Sequence, residues 1–217
     1  MNSIINDQAT DSELVQSCLG EFPHSTRSFE ILLGRYESAI YRFCLHYLRN
    51  HHDAEEVTMD TFAQVFFQLN QLEDASAFKN WLFRITGRQC ADRYRKSARR
   101  RSLQEEFSHA IEDQSGHRAR QGNERRTTTA EAAMSRALHE ISPRDREVLI
   151  LRHVNELSFE EIAETAQITV SASKMRLYRA EERLRRLLEP ELGDGITGAH
   201  LALMIFFYWG VTFHRPA

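Results

Sequence analysis

Between Ser142 and Leu188 the helix start and stop signals are spaced so tightly that a helix-turn-helix is the one common motif that fits them. Ser142-Pro143 is an N-cap followed by proline at the first helical position, where a missing N–H costs nothing. Ser158-Phe159-Glu160-Glu161 is a capping box, in which Ser158 and Glu161 satisfy each other's backbone donors. The helix it opens is short, ending near Ala166, and Gln167 to Thr169 leave a three-residue turn before a third helix. That spacing lets one helix brace across a nucleic-acid backbone while the next enters the major groove. The third helix carries a stripe of arginines, so the segment points to DNA.

The rest of the chain is helical in character. Only 4 prolines and 9 glycines occur in 217 residues, too few for a turn-rich β sandwich. A hydrophobic fraction of 41% with 27% charged residues is ordinary for soluble globular domains. The formal net charge of -3 by itself disfavours a polyanionic partner, but the distribution reverses that conclusion. Residues 84–101 hold Arg84, Arg88, Arg93, Arg95, Lys96, Arg99, Arg100 and Arg101 against a lone Asp92, and a second basic run covers Lys174 to Arg186. Local field decides where a polyanion docks. Cys18, Cys44 and Cys90 show no CxxC spacing, so neither a disulfide framework nor a zinc ribbon is indicated, and Cys44 reads as a core residue. Met1 to Thr10 is polar and unlike a signal peptide, which gives a cytoplasmic expectation.

Helical periodicity divides the chain. Thr10-Asp11-Ser12-Glu13 is another capping box, opening a short helix with Leu14, Val15 and Cys18. From Ser28 to Leu48 apolar residues recur at Phe29, Leu32, Leu33, Tyr36, Ile40, Phe43, Cys44, Tyr47 and Leu48, one buried face over more than five turns. A third helix is expected over 53–69. A fourth should start near Ser76 and bury Phe78, Trp81, Leu82 and Ile85. These four helices make one domain over 10–101. Periodicity lapses over 102–129, a flexible polar linker, and resumes from Ala130 into a second domain over 130–190. The expected fold is therefore all-α: two small helical domains, a linker, and a hydrophobic C-terminal helix over 196–213.

Three faces carry chemistry. On the third helix Asp53, Glu56, Asp60 and Gln64 fall within an arc of about 80° at roughly 100° per residue. The arc lies opposite Phe62, Val65, Phe66 and Leu69, and Phe67 sits beside it. Such a stripe is either a solvated face or the complement of a basic protein surface, and an exposed phenylalanine favours the interface. On the fourth helix Arg84, Arg88 and Arg95 share a side, and Phe83 and Tyr94 lie off the face of Phe78, Leu82 and Ile85. Cations interleaved with rings suit an unpaired DNA strand. On the last helix Val170, Leu177 and Leu184 can pack inward while Ser171, Ala172, Met175, Arg176 and Arg179 face out. The N-terminal members are placed for base edges and the later arginine for phosphate.

Here the chain resembles a known family. Phe29–Arg101 is similar to region 2 of bacterial sigma factors of the extracytoplasmic-function (ECF) group. The resemblance rests on Tyr41-Arg42-Phe43, Asp53-Ala54-Glu55-Glu56-Val57 with Asp60-Thr61-Phe62, and Phe78-Lys79-Asn80-Trp81-Leu82-Phe83-Arg84-Ile85. Ser142–Leu188 resembles region 4 through Ser142-Pro143-Arg144-Asp145-Arg146-Glu147-Val148, Glu161-Ile162-Ala163 and Lys174-Met175-Arg176-Leu177-Tyr178-Arg179-Ala180. The resemblance implies a promoter-specificity subunit of RNA polymerase with no catalytic activity and no cofactor. It assigns Asp53, Glu56, Asp60 and Gln64 to core polymerase. Lys79, Asn80, Arg84, Arg88 and Arg95, with the loop Asn70 to Ala77, would hold the unpaired minus-ten strand, one base flipped into a pocket at the loop. Ser171, Ala172, Lys174, Met175, Arg176 and Arg179 would read the minus-thirty-five duplex. An anti-sigma factor is an implied partner. The turn position Gln167, usually glycine in the family, would adopt a positive φ at a cost of about 1 kcal/mol.

Residues 196–213 have no counterpart in the resemblance. Their 18 residues carry no formal charge, with Tyr208 and Trp209 near their end and Arg215 just beyond it. Such a stretch suits a membrane anchor, giving a membrane-associated location, or a helix folded onto the protein or a regulator, or an unstructured tail. Two other functions compete with the sigma reading. One is a stand-alone helix-turn-helix regulator, which has no use for an acidic third helix. The other takes His51-His52-Asp53 and His46 as a metal phosphohydrolase dyad. That site needs further ligands on other helices, whereas His109, His117 and His139 fall in or beside the linker. No metal is expected.

Overall fold

The computed structural model describes residues 8–21, 26–111 and 129–192, and the hydrophobic stretch 196–213 lies outside them. Eight α-helices follow one another, with no strand among the described residues: α1 (Asp11–Glu21), α2 (Arg27–Leu48), α3 (His51–Gln68), α4 (Phe78–Ile111), α5 (Thr129–Glu140), α6 (Pro143–His153), α7 (Phe159–Ala166) and α8 (Val170–Leu192). Two 3-10 turns, Leu69–Gln71 and Ala75–Ala77, join α3 to α4.

The local signals work as written. Glu13 N–H donates to Thr10 Oγ1 while Thr10 N–H donates to Glu13 Oε2. Ser142 accepts from Asp145 N–H at the start of α6. Ser158 accepts from Glu161 N–H at 3.1 Å and returns its own N–H to Glu161 Oε2 at 2.7 Å. Gln167 ends α7 in the left-handed region at φ 53°, ψ 48°.

The first domain packs α1 to α4 around Leu14, Leu32, Ile40, Phe43, Val57, Val65, Phe78 and Leu82, all buried. Edge-to-face rings lock the layers: Phe29 on Phe66 at 5.0 Å and Tyr36 on Phe78 at 5.7 Å between centroids. Asp11 binds α1 to α2 by accepting from both Arg35 and Tyr36. Cys44 lies in this core, its sulfur 3.6 Å from that of Cys90. The second domain packs α5 to α8 around Met134, Leu138, Val148, Leu149, Leu157, Ile162, Leu177 and Leu184.

Two expectations are corrected. The fourth helix continues to Ile111, into the stretch read as linker from 102. The run 102–111 is rich in residues of high helix propensity, a signal that a reading by apolar periodicity does not weigh. Phe83 and Tyr94 are not open stacking platforms. Phe83 is buried against Phe43, and Tyr94 is half-buried, set edge-on to Tyr47.

The two domains are packed together along a seam. Arg146 is buried at 2% exposure and donates to Tyr47 O at the end of α2 at 3.0 Å. It also donates to Leu138 O in the last turn of α5 and to Ile141 O just after it, at 2.9 and 3.2 Å. Its guanidinium lies 5.7 Å from the centre of the Tyr94 ring. Asn155 donates to Ala39 O at 3.4 Å. α4 comes so close to α6 at Gly87 that a Cβ there would lie 2.7 Å from Glu147 Oε1.

Candidate nucleic-acid interface

α3 presents two stripes. The inner one holds the expected acidic residues, and α4 answers it directly. Arg93 bridges Asp53 at 3.0 Å and Glu56 at 2.7 Å, and Gln89 donates to Gln64 at 2.6 Å. Asp60 is exposed and lines the polar groove between α3 and α4 with Asp53, Asp92, Arg93, Lys96 and Arg100. The outer stripe was read in the sequence only at Phe67: Glu55, Met59, Ala63 and Phe67 recur at i, i+4, i+8, i+12 and are all exposed. Phe67, 76% exposed, borders an apolar groove of about 270 Å³ with Cys18, Leu19, Phe29, Phe66, Leu69 and Asn70. The signal that would have found the stripe is Met59 standing four and eight residues from Glu55 and Phe67.

The loop between α3 and α4 is held by Asp74, which accepts from both the backbone N–H and the hydroxyl of Ser76. Those bonds keep the Asp74 carboxyl below the usual carboxylate range. Of the expected minus-ten residues, Arg88 and Arg95 are exposed while Lys79, Asn80 and Arg84 are half-buried. Arg95 is paired with Asp92. Lys79 pairs with Glu161 at 2.8 Å, Asn80 donates to Glu164 Oε2 at 2.6 Å, and Arg88 donates to Gln167 Oε1 at 3.3 Å. Three of the five therefore meet α7 and its turn. Burial pushes the Glu161 carboxyl up, but the bonds from Lys79 and Ser158 outweigh it and leave the group below its ordinary value.

On α8 the structure divides the expected readers. Ser171, Lys174, Met175 and Arg179 are exposed, whereas Ala172 and Arg176 are half-buried. Arg176 lies near the Glu147 carboxyl, which burial raises above its usual range against the pull of Arg176 and Arg144. Tyr178, 66% exposed on the same side as Lys174 and Met175, was missed because it was read within the family motif and not by its place on the helix. Ser173 is buried and donates to Val170 O at 2.8 Å, also lying within bonding range of Phe159 O. His153 binds Glu181 at 2.9 Å, joining α6 to the middle of α8. Among the described residues no group of three or more metal-ligating side chains comes together, and His51 instead bonds the Tyr41 hydroxyl at 3.0 Å.

Comparison with known proteins decides the family. Residues 32–100 match the family model for sigma-70 region 2, and residues 131–184 match that for sigma-70 region 4. This chain belongs to the sigma-70 family, in its ECF group. It is 29% identical over 168 residues to the ECF RNA polymerase sigma factor SigE of Mycolicibacterium smegmatis, a match covering 74% of this chain and 62% of that protein. It is 25% identical over 174 residues to the ECF sigma factor SigW of Bacillus subtilis, covering 74% and 89%. The solved structure of CnrH in complex with the cytosolic domain of CnrY superposes with a TM-score of 0.61 at 22% identity, covering 83% of this chain and 98% of CnrH. The sigma factor RpoE of Bartonella quintana, in complex with the anti-sigma factor NepR, gives 0.55 at 24%, covering 75% and 98%. At such identities these two show the shared fold. Two consecutive sigma regions on one chain set aside the stand-alone regulator, and the family acts by binding rather than by catalysis. Among the described residues no helix is long and apolar enough to cross a membrane.

Proposed function

We propose that this sigma factor binds core RNA polymerase through α3 and directs it to promoters by holding both ends of the start site. Asp53, Glu56, Asp60 and Gln64, extended by the outer stripe of Glu55, Met59 and Phe67, form the polymerase-docking face. Lys79, Asn80, Arg84, Arg88 and Arg95 take the unpaired minus-ten strand, with the loop Asn70 to Ala77 receiving a flipped base. Ser171, Lys174, Met175 and Arg179, joined by Tyr178, form the face of α8 that enters the minus-thirty-five major groove, with Ala172 and Arg176 at its edge. The observation that carries this reading is the ordered pair of sigma regions on one chain. An anti-sigma partner is supported by the two solved relatives, one in complex with the cytosolic domain of CnrY and the other with the anti-sigma factor NepR. The protein's place of work on this reading is the cytoplasm.

The deciding experiment is run-off transcription from a promoter library with core polymerase and the purified chain. Initiation at defined positions is expected. The chain with Asp53, Glu56 and Asp60 all changed to lysine is expected to lose co-purification with core polymerase. Retained co-purification removes the docking face from the reading, and absence of any defined start removes the reading itself.

A further inference from the structure

The basic run on α4 divides between two faces. Arg84, Arg88, Arg95 and Arg99 recur at spacings that keep them on one side of the helix. Arg93, Lys96 and Arg100, at i, i+3 and i+7, lie on another and line the groove toward α3. There Asp53, Glu56 and Asp60 repeat the same spacing. Arg93 makes the direct contact: Nη1 donates to Asp53 Oδ1 at 3.0 Å, and Nη2 pairs with Glu56 Oε2 at 2.7 Å. One guanidinium therefore spans two of the acids assigned to core polymerase. We propose that Arg93 is the internal counter-ion of the polymerase-docking acids and holds the chain's affinity for core polymerase below what those acids alone would give. The proposal rests on the assignment of Asp53, Glu56 and Asp60 to polymerase.

A carboxylate bridged to a guanidinium presents a reduced negative field to its surroundings, and a basic side chain from a partner must displace an arm of Arg93 or share its oxygen. The trio stands where such a partner would meet it, with side chains 28% exposed at Arg93, 21% at Asp53 and 40% at Glu56. Asp53 and Glu56 lie one turn apart on α3, whose start is fixed by Asn50 accepting from Asp53 N–H. The bridge is not what joins the two helices. Val57 and Val65 of α3 share the buried core with Leu82 and Ile85 of α4, and Gln89 donates to Gln64 further along the same pair. Removing the guanidinium therefore takes away charge and leaves both acids in place.

The test is fluorescence anisotropy of the full chain, labelled at its N-terminus, titrated with core polymerase in the absence of DNA. Arg93→Gln is expected to bind about threefold or more tightly than the native chain at about 0.1 M salt, with a steeper loss of affinity as salt rises. Arg93→Lys, which keeps a positive charge beside the acids, is expected to bind within about twofold of the native chain. Equal or weaker binding by Arg93→Gln, or an equal gain in Arg93→Lys, overturns the proposal. Failure of Arg93→Gln to fold, read by circular dichroism, makes the bridge a structural strut and overturns it as well. If the chain with Asp53, Glu56 and Asp60 all changed to lysine still binds core polymerase, the docking assignment itself has failed and the proposal falls with it.

Discussion

Replacing Arg146 tests what holds the two domains in register. This guanidinium is buried without a carboxylate, and its three acceptors are backbone oxygens at helix ends: Tyr47 O in the last turn of α2, and Leu138 O and Ile141 O where α5 stops. Carbonyls in the last turn of a helix have no partner of their own. Burial, with Arg49 nearby adding to it, pulls the Arg146 pKa below its ordinary value, and the Tyr94 and Tyr47 side chains work against that shift. In Arg146→Met the side-chain volume is nearly kept and the charge's desolvation cost is recovered, but three buried carbonyls lose their donor. At about 1–3 kcal/mol for each unsatisfied group, with water reaching some of them, the net loss should be about 3–5 kcal/mol. Arg146→Lys keeps the charge but offers a single ammonium for three divergent acceptors, so it should lose about as much. Urea unfolding followed by far-ultraviolet circular dichroism reads both. If Arg146→Met stays within about 1 kcal/mol of the native chain, the carbonyls are satisfied some other way and the reasoning is wrong.

Three other outcomes follow from the geometry. His46 is buried at 5% exposure, and burial, with Arg42 and Arg49 nearby, lowers its pKa from 6.5 to about 3. A depressed folded value means stability is full above the unfolded value and is lost as pH falls from about 6.5 toward 3, at up to about 1.4 kcal/mol per pH unit. Unfolding at pH 7 and pH 5 should therefore differ by about 2 kcal/mol more in the native chain than in His46→Leu; the opposing contribution of Glu147 is common to both, and equal pH slopes defeat the argument. Gln167→Gly relieves the positive φ but gains unfolded-chain entropy, so a net gain of about 0.5 kcal/mol is expected, a rise in melting temperature of about 1–2 °C; a lower melting temperature contradicts it. Arg176→Ala should weaken binding of holoenzyme to duplex minus-thirty-five DNA by ~1–3 kcal/mol on sequences offering a guanine at the contacted position. Equal loss on every sequence places Arg176 on phosphate instead.

Features set by neighbours in sequence were legible. The caps at Thr10, Ser142 and Ser158 each depend on residues within four positions, and all three stand as the sequence reads, while the left-handed Gln167 was legible through the family resemblance alone. The core faces of α2 and α8 were legible because a helix covered on one side leaves a periodic stripe. α4 was harder to read. It is covered by α2 and α3 on one side and by α7 on another, so its buried arc is wider than a single stripe, and Phe83 and Tyr94 fall inside it. The acids of α3 were visible as a stripe, but Arg93, 40 positions from Asp53, was not visible as their partner. Nor could the pairing of Lys79 with Glu161 be seen, 82 positions apart, because pattern tells that a residue is polar and not what it faces.

The seam's contacts differ in how easily they exchange, and that difference sets the work of opening. Lys79, Asn80 and Arg88 are partly or fully exposed, so each such pair contributes about 0.2–1 kcal/mol and its donor readily exchanges to water. The bond from Arg146 to Tyr47 O is different: buried and charge-assisted, it contributes about 1.5–3 kcal/mol and has no substitute in the open form except water. Together the seam favours the closed form by a few kcal/mol, a ratio of closed to open on the order of a hundred or more. Neutralising two exposed contacts changes that ratio about fivefold and leaves the chain mostly closed. Inverting it from 99:1 to 1:99 takes a ligand that prefers the open form by about 5.5 kcal/mol. Single-stranded DNA replaces only the exchangeable contacts and gains little, so it cannot open the chain by itself. A partner gripping both domains at separate sites can.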